Sequence, residues 1–284
     1  MNNKTRNIVA YILLGVAAVC AIVLIINAVC NRSAENEVDS MKESFVVELT
    51  PEPIVETATP KPEDTEAPTA TPGPTEDPFL SLEGYDVPAR VIDFEGLKET
   101  APDVYAWLLV PGTDIDYPIV QHPEEPEYYL RRTPEGKDAT AGSIFTEMYN
   151  NTEWTDNNTI IYGHNMRNGS MFATLHNFEE QEFFEENQFI YIYSPDNTVR
   201  VYQVFGAYEF GDMHLTLTYG MNTEEGYGEF LSGLGELVNE GNLFREDVEV
   251  TTEDTIITLS TCVRGKDYNR FLVSAKLVAM GTME

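Results

Sequence analysis

A mainly β fold, a barrel carrying inserted helices, is what this sequence predicts, on three observations. Short runs rich in β-branched and aromatic residues recur from about residue 117 to residue 280. Turn formers separate them, most plainly Pro195-Asp196-Asn197, which reads as the turn of a hairpin. Only two or three stretches carry helical spacing, too few for a helical or α/β fold.

Taken in order, residues 8–29 are apolar apart from Tyr11 and Asn27. At 1.5 Å per residue that length matches the roughly 30 Å of a hydrocarbon core. Lys4 and Arg6 precede it, Glu35, Glu37 and Asp39 follow, and Arg32 is the one cation among residues 30–41 on the far side. The positive-inside rule then leaves residues 1–7 in the cytoplasm and everything after the anchor outside. The run exceeds the apolar core of a cleaved signal peptide, so a retained single-pass anchor over 8–30 in the plasma membrane is expected. Residues 31–79 interleave Pro, Thr and Glu, with Pro51, Pro53, Pro72 and Pro74 among them. Such a composition predicts an extended extracellular linker with too little apolar surface to offset its ordering entropy.

From residue 80 to 284 the composition is that of one globular domain with a substantial core. A helix is expected over 93–107, broken near Pro102. Strands follow over 117–121, 142–145, 159–162, 189–193 and 199–208, with a short helix over 170–178. A longer helix is expected over 223–240, with Asn222 and Glu225 as a capping box and Gly241 as its stop. Strands over 255–261 and 271–280 complete the chain. The net charge of −31 over 284 residues excludes a nucleic-acid partner and disfavours broad docking on anionic lipid.

Cys262 ends the strand Thr258-Leu259-Ser260-Thr261-Cys262 and is the only cysteine beyond residue 30. In an exported domain it has no internal partner for a disulfide. Buried filling is the ordinary fate of a free cysteine. A thiol at a strand end with Arg270 opening the next strand instead suggests an activated nucleophile. Such a nucleophile needs a proton donor for its leaving group. Of the four histidines, His122, His176 and His214 read as surface or packing residues. His164 follows the apolar strand Thr159-Ile160-Ile161-Tyr162-Gly163 and should emerge at a sheet rim, as Cys262 does. No Cys-x-x-Cys, paired-histidine spacing or calcium loop implies a metal, and no cofactor is expected.

Several segments resemble the class B sortases, cysteine transpeptidases of Gram-positive bacteria. They are Pro111-Gly112-Thr113-Asp114-Ile115-Asp116-Tyr117-Pro118, Tyr129-Leu130, Tyr162-Gly163-His164-Asn165-Met166, Gly169-Ser170-Met171-Phe172, the helix at 223–240, and the Cys262/Arg270 pair. Together they span nearly all of residues 90–280. The resemblance implies a closed β-barrel with N-terminal helices and an extra helix before the cysteine strand. It implies Cys262 as nucleophile, His164 as general acid/base and Arg270 as the residue that positions substrate or stabilises the oxyanion. Ser260 and Leu130 match groove-lining positions, and Tyr227, placed in the loop before the extra helix, is a further groove candidate. The implied reaction cleaves a C-terminal sorting signal after threonine through a thioester and transfers the protein to a peptidoglycan amine. A secreted cysteine peptidase of the ordinary hydrolytic type and a pilin-polymerising sortase stay open as alternatives. The loop Val263-Arg264-Gly265-Lys266-Asp267 lacks the acidic residue that some class B members carry close after the cysteine, and Arg264 and Lys266 read as solvated charges. Asp77-Pro78-Phe79 resembles the lid tripeptide of class C sortases and is read as the end of the linker.

Overall fold

A computed structural model of the chain describes residues 3–49, 82–237 and 242–282. The strands are β1 (Val46–Glu48), β2 (Arg90–Ile92), β3 (Val104–Leu109), β4 (Asp116–Val120), β5 (Ile144–Phe145) and β6 (Asn158–Tyr162). They continue with β7 (Phe189–Tyr193), β8 (Thr198–Gly211), β9 (Leu243–Phe244), β10 (Ile256–Cys262) and β11 (Asn269–Thr282). The helices are α1 (Asn3–Phe45), α2 (Phe94–Thr100), α3 (Gln181–Glu186), α4 (Leu215–Tyr219) and α5 (Glu224–Leu237).

β11, β10, β6, β5, β4, β3, β7 and β8 are hydrogen-bonded in that order, and β8 pairs back onto β11. The sheet is therefore a closed barrel, mainly β with helices outside it, and β9 extends it beyond β8. Its strands read as nearly unbroken apolar runs because both faces are covered. Ile161, Ile190, Ile192, Leu259 and Val273 fill the barrel. Their neighbours point outward into two flanking clusters: Trp107, Tyr191 and Tyr193 beneath α1 and α2, Ile160, Tyr208 and Leu272 beneath α4 and α5.

The N-terminal region departs from expectation. α1 continues through Phe45, so the predicted linker over 31–79 is helix and strand as far as Glu48. Its remainder from residue 50, like Asp77-Pro78-Phe79, lies outside the described residues. The reason is visible at helical spacing: Val38 and Met41 are buried, and Met41 and Phe45 join the cluster under α2. Lys137 reaches Glu37 at 2.7 Å, and β1 pairs antiparallel with β2, Leu49 N–H donating to Ala89 O at 2.8 Å. Met41→Ala should therefore lower the unfolding free energy of the full-length chain by about 2 kcal/mol or more, the usual result of emptying a buried methionine site. An unchanged urea midpoint would show that this segment does not belong to the folded unit.

Among the described residues no helix is long and apolar enough to cross a membrane. The single-pass anchor expected over 8–30 is thus not seen in the described residues. Ile12, Leu13, Leu14, Leu24 and Ile25 stand exposed there.

The docked end of α1 is locked by Asp116. Its carboxylate accepts from Lys42 at 2.6 Å, from Arg90 at 2.8 Å and from the Trp107 indole at 2.6 Å. Burial alone would raise this carboxyl, but the bonds from Lys42 and Trp107 and the Arg90 charge outweigh it and hold the group below the ordinary carboxylate range. A carboxyl depressed in the folded state contributes stability above its unfolded pKa and loses it as pH falls through the folded value. The stability gap between the wild type and Asp116→Asn should be widest at neutral pH and shrink below about pH 4. Urea titrations at pH 7 and pH 3 measure it, and a gap that is constant or grows in acid contradicts the assignment.

Other elements differ in detail. The helix expected over 93–107 stops at Thr100, and Val104 to Leu109, with its β-branched and aromatic residues after Pro102, is β3. The helix expected over 170–178 is a 3-10 segment, Ala173–Glu179. The cap of α5 is Thr223, whose hydroxyl accepts from Gly226 N–H at 3.1 Å, rather than Asn222. Gly241 lies outside the described residues.

Candidate active site

β10 ends at Cys262, and its antiparallel neighbour β11 sets Arg270 opposite it. Val263 N–H donates to Asn269 O just beyond. Cys262 and Arg270 therefore form a non-hydrogen-bonded pair, the kind whose side chains approach more closely. On the other flank β6 runs parallel to β10, with Tyr162 against Ser260. The ladder continues one step further, from Gly163 N–H to Ser260 O at 3.1 Å, and His164 leaves the barrel at the same rim. Only glycine fits before it: a Cβ at residue 163 would lie 2.6 Å from both Ile144 Cδ1 and Phe172 Cγ.

His164 Nε2 lies 2.8 Å from the Leu130 carbonyl. A carbonyl only accepts, so Nε2 carries the hydrogen and Nδ1 is left to exchange a proton. Burial pushes the His164 pKa below the ordinary histidine range; the Leu130 bond opposes this, and the Arg131 charge adds to it. The imidazole is therefore neutral near pH 7. The tautomer-fixing carbonyl was not foreseen, because Leu130 matched a groove position by its side chain alone.

Leu130, Tyr162, His164, Ser260, Cys262 and Arg270 line one cavity of about 210 Å³. The Cys262 thiol is exposed at it. Arg270 Nη1 donates only to its own loop, to Asp267 O at 3.4 Å and Asn269 O at 3.2 Å, and forms no ion pair among the described residues. Its remaining donors are thus available to a bound carbonyl. A larger hollow of about 500 Å³ lies between α1 and the loop after His164. It holds none of those six residues, so the smaller cavity is the candidate active site.

His214, read from sequence as a surface or packing residue, also lines this cavity. Its Nδ1 caps α4 by accepting from Leu217 N–H at 3.3 Å, and its Nε2–H donates to Glu147 at 2.6 Å. Burial raises the Glu147 carboxyl, with His214 opposing. Tyr227 is not part of the site. It lies inside α5 rather than in the loop before it, fully buried, with its phenol donating to Asp254 O at 3.0 Å. Arg264 and Lys266 face away from the cavity: Arg264 donates to Met166 O at 2.8 Å and Lys266 pairs with Glu209 at 2.6 Å.

A closed barrel with a thiol, an imidazole and a guanidinium on one rim narrows the class of protein, and comparison with known proteins agrees. The model of the sortase domain matches residues 108–278, and the chain belongs to the sortase family of cysteine transpeptidases. It is 35% identical over 188 residues to sortase B of Listeria monocytogenes, covering 66% of this chain and 74% of that protein. Sortase B of Staphylococcus aureus is 30% identical over 189 residues, covering 65% and 74%. Among solved structures, Clostridium perfringens sortase B superposes with a TM-score of 0.58 at 30% identity, covering 65% of this chain and 98% of that one. A Staphylococcus aureus sortase B–substrate complex gives 0.55 at 29% identity, covering 65% and 84%. Within the family these relatives define its class as B.

Proposed function

We propose that this chain joins exported proteins to the cell wall, cleaving a C-terminal sorting signal after threonine and passing the acyl group to a peptidoglycan amine. The observation that carries this is the convergence of Cys262, Arg270 and His164 from three neighbouring strand ends on one cavity. Cys262 Sγ attacks the threonine carbonyl while its proton passes to His164 Nδ1. The Arg270 guanidinium holds the oxyanion. As the C–N bond breaks, the imidazolium returns that proton to the departing amine, leaving a thioester and neutral His164. The acceptor amine then attacks the thioester carbonyl and gives a proton to His164, and the thiolate leaves and is reprotonated. Leu130 and Ser260 contact the peptide in the cavity wall.

Residues 8–30 are proposed as a single-pass anchor with the catalytic domain outside the cell. The apolar sequence, interrupted only at Tyr11 and Asn27, and the exposed side chains of Ile12, Leu13, Leu14, Leu24 and Ile25 support it. Tethering keeps enzyme and membrane-proximal substrates at high local concentration. Alkaline extraction of membranes tests the anchor: the full-length chain should stay in the pellet, and release into the wash would refute insertion.

The reaction is tested by incubating the full-length chain with a library of sorting-signal peptides, with and without an amine acceptor. The expected results are a peptide thioester on Cys262 by mass spectrometry and an amine-dependent transfer product. Hydrolysis alone, unaffected by any amine, would instead favour a peptidase.

A further inference from the structure

His176 and Asn165 lie outside the cavity, yet both reach the main chain of the nucleophile. Asn165 Nδ2 donates to the Cys262 carbonyl at 2.9 Å and lies 2.9 Å from His176 Nε2. His176 Nε2 is itself 3.1 Å from the same carbonyl. At the far side of the ring, Nδ1 lies 2.5 Å from Glu179 Oε1. A carboxylate only accepts, so Nδ1 carries a hydrogen. A neutral ring then accepts from Asn165 at Nε2, and a protonated ring donates to the Cys262 carbonyl itself. In both forms the chain of bonds runs from Glu179 through His176 to Cys262. The ring also stacks on Phe271, centroids 4.8 Å apart, and Phe271 adjoins Arg270 in β11.

The need for such bonds follows from where β6 stops. Its last main-chain bond to β10 reaches Ser260 O, leaving the Cys262 carbonyl beyond the end of the parallel ladder. β11 still pairs with the strand end on its other edge, but a residue held along one edge alone is freer to move, and its thiol then spends less time in attacking geometry.

We infer that Asn165 and His176, backed by Glu179, are positioning residues that clamp the Cys262 carbonyl and so hold the thiol in register with His164 and Arg270. Asn165 follows His164 in sequence, so the same loop that presents the acid also fixes the nucleophile. The inference rests on the reading of Cys262 as nucleophile.

Three substitutions at residue 176 separate the possible roles, tested in the full-length chain with kcat and KM for peptide cleavage and the alkylation rate of Cys262. His176→Phe keeps the stack on Phe271 but no polar atom. His176→Asn keeps a group near the Nδ1 position that faces Glu179. His176→Gln keeps one near the Nε2 position that faces Asn165 and Cys262. The clamp predicts that Phe and Asn lower kcat at least fivefold with KM little changed, while Gln restores most of it. Asn165→Ala should fall as far, and the Asn165→Ala/His176→Phe pair no further than the worse single variant, because one clamp is broken either way. A His176→Phe enzyme with wild-type kcat overturns the inference. So does a set of variants whose kcat follows melting temperature alone, with Gln no better than Asn. Cleavage by Cys262→Ala, run beside them, would sink the nucleophile reading itself, whereas a dead Cys262→Ala beside fully active clamp variants sinks only the clamp.

Discussion

Cys262→Ala is expected to abolish peptide cleavage, a loss of at least about 10⁴-fold, while leaving the barrel intact. Removing a covalent nucleophile takes away the route itself, and losses of that order or larger accompany it in enzymes of this logic. The fold should survive because Cys262 is exposed at the end of β10 and the side chains of Asn165 and His176 reach its carbonyl, which alanine keeps. Melting curves of the two proteins should agree within a few degrees. Mass spectrometry should find the peptide adduct on Cys262 of the wild type and none on the variant, even though Cys20 is also a free, exposed thiol. Cleavage by the purified variant at a wild-type rate would end the cysteine mechanism.

Arg270 carries the second large effect. A guanidinium offers a planar fork of donors, whereas an ammonium offers charge without the fork. If Arg270 acts by directed bonds to the oxyanion, Arg270→Lys should lose most of what Arg270→Ala loses, about 10²- to 10³-fold in kcat. Near-complete rescue by lysine would reduce its role to positive potential. Arg264→Ala and Lys266→Ala are the comparison. Both side chains bond away from the cavity, to Met166 O and Glu209, and both variants should stay within about threefold of wild type, as exposed positions do. A severe defect in Arg264→Ala would mean that the wrong arginine has been assigned.

The β10–β11 hairpin and the strand that presents His164 were legible in the sequence, because β-branched runs bounded by a glycine and a loop mark strand ends wherever they occur. What stayed hidden depends on contacts between distant segments. His176 and His214 each read as surface or packing residues until the fold brings Cys262 beside one and Glu147 beside the other. Tyr227 belongs to the helix already expected over 223–240, and its place one turn after the Thr223 cap puts it on the buried face rather than in the groove. The docked end of α1 did carry a signal, Val38, Met41 and Phe45 on one helical face, but the polar residues between them and the proline-rich composition after them masked it. Composition averages over a window, and three buried side chains do not shift that average.

The pairing of β1 with β2 changes what the Pro/Thr-rich tract does mechanically. The chain leaves the two-stranded β1–β2 ribbon at Leu49 and is back beside it at Ala89, 2.8 Å from atom to atom. The tract between them is therefore wired as a side branch, and the line of force from α1 to the barrel bypasses it through Met41 and Asp116. Doubling its length would add only about 0.6 kcal/mol of loop-closure entropy and would leave the reach and heading of the active site where α1 sets them.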